Sequence, residues 1–194
     1  MRIIAGSAAG TILKVPKGFD VRPTPDLVRQ AIFNSLGERV VGARVVELFG
    51  GTGALTLECL SRGAIHGVCV EKSSKHAQFI RQNLELARLP SSMLDVRVQD
   101  AFTAIAQLAA AEQKFDLIVA DPPYGEKNVG RRSTSLAQQM LDCTDLLRLI
   151  TPEGRFILGH TKRDTLTLPD CWEETKMLKH GDTVMRFFKL KPNP

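Results

Sequence analysis

The sequence predicts an α/β protein with one doubly wound, mainly parallel sheet of seven strands and an antiparallel edge at its C-terminal end. From residue 44 onward, short apolar runs alternate with amphipathic segments, as expected of strands that are joined by crossover helices. The last two runs lie on either side of the tight turn His180-Gly181-Asp182, which adds an antiparallel pair. The sequence has no internal repeat and no low-complexity linker, so we expect no large additional domain.

The N-terminal segment predicts a small arm followed by a helix. Residues 2–5 and 11–15 read as extended segments around the small residues 6–10, a pattern typical of a β-hairpin. Thr24 is expected to cap a helix with Pro25 at its first position, and Gly37 ends that helix. We therefore expect a hairpin arm and helix at residues 1–40 and the main domain at residues 41–194.

The remaining elements follow in regular alternation. The predicted strands cover residues 45–48, 67–71, 94–98, 115–120 and 155–158, followed by two strands around residues 180–182. The predicted helices cover residues 54–61, a segment that begins at Ser73, residues 101–111 and residues 134–149.

Composition limits the class of protein. The 194 residues contain no apolar run long enough to span a bilayer, and the N-terminus does not read as a signal peptide. The 4 cysteines and 4 histidines are dispersed, so we expect free thiols, a cytoplasmic location and no metal site. The formal charge of +5 permits a polyanionic partner, and residues 1–44 hold 7 Lys or Arg against 3 Asp or Glu.

The run Asp121-Pro122-Pro123-Tyr124 directly follows an apolar strand. Two prolines hold the neighbouring carbonyls rigid, and the turn would combine a carboxylate, a carbonyl and an aromatic face at a sheet edge where ligands bind. Such a site suits a planar base with an exocyclic amine, stacked on Tyr124. A purely structural tight turn is the alternative.

A second candidate site lies at the first strand–helix junction, where Glu47, Phe49, Gly51 and Gly53 occur together. Glycines there allow close approach of a ligand to a helix N-terminus. The third glycine of a dinucleotide motif is missing, and the acidic Glu47 suits a cationic ligand better than a pyrophosphate. Tight packing alone is the alternative.

Two further carboxylates follow strands. Glu71 ends the second strand, where it could accept bonds from both ribose hydroxyls of a nucleoside, or simply be solvated. Asp100, with Ala101, follows the third strand, where it could reach an adenine amine, cap the next helix, or do both.

Together these motifs resemble an S-adenosylmethionine-dependent methyltransferase with the Rossmann-like class I fold. Residues 47–53 resemble its first motif, Glu71 its ribose-binding acid, and Asp121-Pro122-Pro123-Tyr124 the motif of amino-methylating enzymes. Further segments resemble the RsmD family, nearly from end to end: residues 1–6, Arg22-Pro23-Thr24, Val28-Arg29, Phe33-Asn34, residues 57–64 and Gly181-Asp182-Thr183.

The resemblance implies methyl transfer from S-adenosyl-L-methionine to the N2 amine of a guanine in bacterial small-subunit ribosomal RNA. The implied catalytic residues are Asp121, Pro122, Pro123 and Tyr124. The implied cofactor-binding residues are Glu47, Phe49, Gly51, Gly53, Glu71, Lys72, Asp100 and Ala101. Phosphate contacts are expected from Arg2, Lys14, Arg22 and Arg29. We expect a monomer that acts on the RNA or on the 30S particle, without a membrane.

Three features depart from the family pattern. Gly50 replaces the usual alanine, Glu47 replaces an aspartate, and residues 126–135 form a longer and more basic stretch. Two other functions remain open. A DNA adenine-N6 methyltransferase would usually carry a recognition domain for which this chain has no room, and a non-catalytic RNA-binding module would not need all three ligand motifs.

Overall fold

The computed structural model of the chain describes residues 1–16, 24–123 and 131–192. The strands found in these residues are β1 Arg44–Leu48, β2 His66–Glu71, β3 Leu94–Val98, β4 Phe115–Ala120, β5 Ile150–Thr161, β6 Trp172–His180 and β7 Thr183–Leu190. The α-helices are α1 Asp26–Leu36, α2 Ala54–Ser61, α3 Ser74–Leu86, α4 Ala101–Ala110, α5 Leu136–Asp142 and α6 Thr144–Leu149. Short 3₁₀ helices at Gly37–Val40 and Ser91–Met93 precede β1 and β3. The chain divides into two compact units, Met1–Ala104 and Ile105–Pro194.

In the first unit, β1, β2 and β3 are parallel and β2 lies in the middle. β1 and β2 are almost wholly buried, as is typical of parallel strands covered on both faces. The register pairs Leu48 with Val70 and Glu71 with Val98, so the strands end at the same edge. The segments that follow these strands are therefore brought close together.

In the second unit, β4 is parallel to β5, and β7 pairs antiparallel with both β5 and β6. The rings of Phe156, Trp172 and Phe188 form its aromatic core, with centroids 5.2–6.1 Å apart. All three side chains are fully buried, and aromatic side chains of this size contribute much of the apolar area that holds a sheet together.

The predicted fold class is confirmed. All seven strands belong to one mainly parallel sheet, and the C-terminal β6–β7 pair is antiparallel. The predicted bounds of α2, β3 and β4 agree with the structure residue for residue.

The predicted helix at residues 134–149 is wrong, because two helices, α5 and α6, are separated by the extended residue Cys143 (φ −76°, ψ 107°). A tertiary contact explains the break: the indole Nε1 of Trp172 donates a 3.0 Å hydrogen bond to the Leu141 carbonyl, which a continuous helix would use internally. β5 is also longer than predicted, since a register shift in its pairing with β4 accommodates residues 152–154.

The N-terminal segment differs in detail from the predicted hairpin. An antiparallel bridge joins Arg2 to Ile12, while turns at residues 6–11 use the backbone groups that a longer ladder would need. The helix α1 begins at Asp26, because Pro25 is extended (ψ 150°) and forms its N-cap. The arm and α1 lie in the same compact unit as β1–β3, so the unit boundary at residue 104 does not coincide with the expected boundary at residue 40.

Candidate functional site

The loop between β1 and α2 has an unusual backbone. Phe49, Gly51 and Gly53 all have positive φ angles of 64°, 54° and 72°. Gly53 is the N-cap of α2 and, as a glycine, provides no side chain to cap it. A Cβ at Gly53 would lie 2.9 Å from Cγ2 of Ile80, so the glycine allows the loop to pack tightly on α3. Substitution at Gly53 would therefore act first through Ile80.

Glu47 lies beneath this loop and is 4% exposed. Its Oε2 accepts hydrogen bonds from the Thr56 amide (2.8 Å) and the Thr56 hydroxyl (2.5 Å) in the first turn of α2. Burial raises the pKa of the Glu47 carboxyl to about 7, although these bonds oppose the shift. Glu47 thus holds the start of α2, and its contact with a ligand stays a prediction.

Gly50 is also fixed by its surroundings. A Cβ at this position would lie 2.4 Å from Sγ of the buried Cys69. The cysteine fills the space that the methyl group of an alanine would need, which accounts for the departure from the family pattern at Gly50.

Glu71 connects the end of β2 to the glycine loop. Its Oε2 accepts a 2.8 Å hydrogen bond from the Gly51 amide, and its Oε1 accepts one of 2.8 Å from the Ser73 amide. The carboxylate is mostly buried, with 12% of the side chain exposed. Each oxygen keeps a second lone pair, so both could also accept a bond from a ribose hydroxyl.

The predicted role of Asp100 as a helix cap is confirmed. Its Oδ1 accepts a 3.0 Å hydrogen bond from the Phe102 amide at the start of α4, and its Oδ2 lies 3.7 Å from the exposed Nζ of Lys72. The neighbouring Ala101 is buried. One oxygen of Asp100 is thus used by the helix, while the other faces a cation at the surface.

Asn83 is a residue of this region that the sequence did not single out. Its fully buried amide bonds the backbone of Lys14 in the arm and the carbonyl of Thr52 in the glycine loop. A polar residue beside apolar positions of an amphipathic helix was the available signal, because such a residue must find buried partners.

The Asp121-Pro122-Pro123 turn follows β4 in the second unit. Asp121 is half-buried, Pro122 is buried and Pro123 is exposed, whereas Tyr124 lies outside the described residues. A Cβ at Gly159 in β5 would lie 2.2 Å from Oδ1 of Asp121, so this carboxylate occupies the space that the glycine leaves open. In the sequence, the available signal for this close contact was a glycine directly after a predicted strand.

The basic residues of the N-terminal region differ in exposure. Arg2 and Lys14 are exposed, and Arg22 lies outside the described residues. Arg29 is fully buried: its guanidinium donates to the Arg2 carbonyl, bonds Asp26 at 2.8 Å and lies 3.7 Å from the buried Glu58. Burial is at odds with the expected phosphate contact of Arg29, to which we assign a structural role instead.

The expected basic stretch is only partly within the described residues. Arg131 and Arg132 are exposed, and Arg132 pairs with Asp142 at 2.7 Å. Among residues 1–16, 24–123 and 131–192, no group of three or more His, Cys, Asp or Glu side chains is placed to hold a metal ion. In the same ranges, every helix is too short or too polar to cross a membrane.

Comparison with known proteins gives a consistent result. A family profile described as "Conserved hypothetical protein 95" matches residues 1–189. "Putative rRNA methyltransferase YlbH" of Bacillus subtilis is 33% identical over 194 residues, 98% of this chain and 100% of that protein. The chain belongs to the RsmD family.

Other relatives agree with this membership. "Ribosomal RNA small subunit methyltransferase D" of Escherichia coli K12 is 35% identical over 124 residues, 64% of this chain and 60% of that protein. The solved structure "Putative methyltransferase yhhF from Escherichia coli" superposes with a TM-score of 0.80 at 26% identity and covers 98% of both chains. The fold is that of class I methyltransferases, and the cofactor of this chain is S-adenosylmethionine.

The residues of the first unit suit this cofactor. The glycine loop brings the backbone close to a helix start whose N-cap is a glycine, and the Glu71 carboxylate has free lone pairs beside it. These features match a nucleoside with an amino-acid tail, since the ribose needs acceptors and the tail carboxylate needs backbone donors.

Proposed function

We propose that this chain transfers the methyl group of S-adenosylmethionine to the N2 amine of a guanine in small-subunit ribosomal RNA. The Asp121-Pro122-Pro123 turn after β4 is the observation that carries the proposal, because it combines a half-buried carboxylate with rigid carbonyls. Those are acceptors for the N–H groups of an exocyclic amine. The name of the E. coli relative, a small-subunit RNA methyltransferase, supports the choice of RNA.

The chemistry divides between the cofactor and the chain. S-adenosylmethionine supplies an electrophilic methyl group on a sulfonium. Asp121 and the Pro122 carbonyl would accept hydrogen bonds from the two N–H groups of the amine, which orients the N2 lone pair and polarises a weak nucleophile. Pro123 would keep the turn rigid, and Tyr124 would stack on the base. Asp121 can take up the released proton after transfer, when the amine has become acidic.

Binding of the cofactor is assigned to residues of the first unit. We propose that Glu71 accepts the ribose hydroxyls and that Gly51 and Gly53 let the backbone approach the amino-acid tail. Asp100 and Ala101 would lie against the adenine, with Lys72 beside Asp100. Glu47 and Phe49 would shape the loop, and a direct contact of Glu47 with the cationic part of the ligand remains part of the proposal.

RNA binding is assigned to residues 1–40, and methyl transfer to residues 41–194. The exposed Arg2 and Lys14 would contact phosphates together with Arg22. A target base must leave its stack to reach the turn, which costs a few kcal/mol and is easiest in a loop. We propose that the protein acts in the cytoplasm, as a monomer, on the RNA or on the 30S particle.

Replacement of Asp121 tests the assignment of the amine site. Asp121→Ala should leave the affinity for S-adenosylhomocysteine nearly unchanged in calorimetry while turnover with labelled S-adenosylmethionine is lost. Asp121→Asn is the matched variant, since it keeps one acceptor oxygen and should retain partial activity. Near-normal turnover of Asp121→Ala would remove the amine-site assignment. An RNA-binding module without catalysis would show no transfer in the wild type.

A further inference from the structure

Asn83 of α3 joins the N-terminal arm to the glycine loop of the cofactor site. Its side chain is fully buried. Oδ1 accepts a 2.7 Å hydrogen bond from the Lys14 amide, and Nδ2 donates to the carbonyls of Lys14 and Thr52, both at 3.0 Å. Thr52 stands between Gly51 and Gly53, so one amide group contacts both the arm and the loop.

The geometry of this contact is strict. An amide has two N–H donors, and both are used here, one on each side. Because the group is buried, moving either carbonyl leaves a donor without a partner and without water to replace it. The planar side-chain amide of Asn83 therefore fixes the position of the Lys14 backbone relative to the Thr52 carbonyl.

We propose that Asn83 is a positioning residue that couples RNA binding by the arm to cofactor binding at the glycine loop. The inference rests on the proposed function of the arm. Two ligands that each order the same hydrogen-bonded network share the cost of ordering it, so the first to bind strengthens the binding of the second. The coupling is reciprocal: RNA tightens the cofactor by the factor by which the cofactor tightens RNA.

The arm has a second anchor that provides a matched control. The Ser61 hydroxyl donates to the Ala5 carbonyl at 2.6 Å and accepts from the Ala8 amide at 3.0 Å. Ser61 lies at the C-terminal end of α2, away from the glycine loop at its start. Ser61→Ala should loosen the arm without cutting its connection to Thr52.

The affinity for S-adenosylhomocysteine, measured with and without small-subunit ribosomal RNA, gives the coupling factor. We expect a factor of about 5 or more in the wild type, near 1 in Asn83→Leu, and close to the wild-type value in Ser61→Ala. A wild-type factor of 1 overturns the proposal, as does a full factor in Asn83→Leu. Equal loss in both variants would assign the effect to arm stability alone and would also overturn it.

Hydrogen exchange without RNA separates this inference from the function of the arm. S-adenosylhomocysteine should slow the exchange of arm amides such as Ile3 and Leu13, whose partners are Thr11 and Met1 within the arm. Unchanged exchange in the wild type contradicts the coupling even if Asn83→Leu fails to fold. If this protection is present but RNA does not bind, the proposed function of the arm fails and the connection through Asn83 stands.

Discussion

The Gly51 amide donates a 2.8 Å hydrogen bond to the carboxylate of Glu71, across two neighbouring parallel strands. The residue expected to bind the ribose thus also fixes the backbone of the glycine loop. Because the other oxygen binds the Ser73 amide, the same carboxylate also holds the start of α3. One side chain organises both segments that are expected to surround the cofactor.

Glu71→Ala should weaken S-adenosylhomocysteine binding by about 1.5–3 kcal/mol, the usual contribution of a hydrogen bond to a charged group. The loss includes the ribose contact and the freed Gly51 amide. Calorimetry measures it, and Glu85→Ala on the exposed side of α3 is the control that should leave affinity unchanged. Equal affinities in wild type and Glu71→Ala would remove Glu71 from the site.

Glu47 should make stability depend on pH. Its pKa is raised from 4.5 to about 7 by burial, so the folded state binds more protons than the unfolded state between these values. The wild type should therefore lose stability as pH rises from about 4.5 through 7, by about 3 kcal/mol in the limit, given ~1.4 kcal/mol per pKa unit.

Glu47→Gln mimics the protonated form and should lack this loss. Denaturant unfolding at pH 5 and pH 8 compares the two proteins, and the glutamine variant should gain relative stability at the higher pH. Parallel pH profiles would contradict a raised pKa at Glu47.

Much of the fold was predictable from the sequence, because the spacing of apolar residues along a single helix or strand indicates which of its faces is buried. The alternation of strands and helices, the Ser73 cap of α3 and the end of α1 at Gly37 are all local signals. The break between α5 and α6 was not predictable in this way, since it depends on Trp172, a residue distant in sequence.

The positions of the candidate site residues in the fold were predictable to a similar depth. Residues at strand ends were identifiable because parallel strands bring those ends together. The burial of Arg29 was not predictable from its charge, because it depends on Glu58 and the Arg2 carbonyl, which hold the guanidinium in the interior. Asn83 and Gly159 were missed because their importance depends on what lies opposite them in space.

Gly159→Ala should impair catalysis through Asp121. The added Cβ would lie 2.2 Å from Oδ1 of Asp121 and displace this carboxylate. The backbone at Gly159 is not in the left-handed region, so its conformation suits alanine. A displacement of about 1 Å can reduce kcat about 100-fold. Steady-state kinetics should show this loss with little change in cofactor affinity.

A double variant shows whether the effect passes through Asp121. In an Asp121→Ala background, Gly159→Ala should add no further loss to the residual transfer measured in single-turnover assays at high enzyme concentration, because the group that it displaces is gone. Additive losses would mean that Gly159 acts on something other than Asp121.

Arg29 and Arg2 should behave in opposite ways. Arg29→Met should lower the free energy of unfolding on the order of 3 kcal/mol, because it removes a partner of the buried Glu58 carboxylate. Arg2→Ala should change stability by less than about 0.5 kcal/mol and reduce the salt slope of RNA binding by about 0.7–0.9. Denaturant unfolding measures the change in stability, and a salt titration of RNA binding measures the change in slope. If folded Arg29→Met also showed a reduced salt slope, Arg29 would be a phosphate contact after all.

The product of the reaction tests the central claim most directly. Small-subunit RNA or 30S particles that lack the modification are treated with the protein and labelled S-adenosylmethionine, digested to nucleosides and analysed by mass spectrometry. The account predicts label in N2-methylguanosine alone, and its loss with Asp121→Ala. Label in N6-methyladenine, or transfer to DNA only, would contradict the guanine assignment.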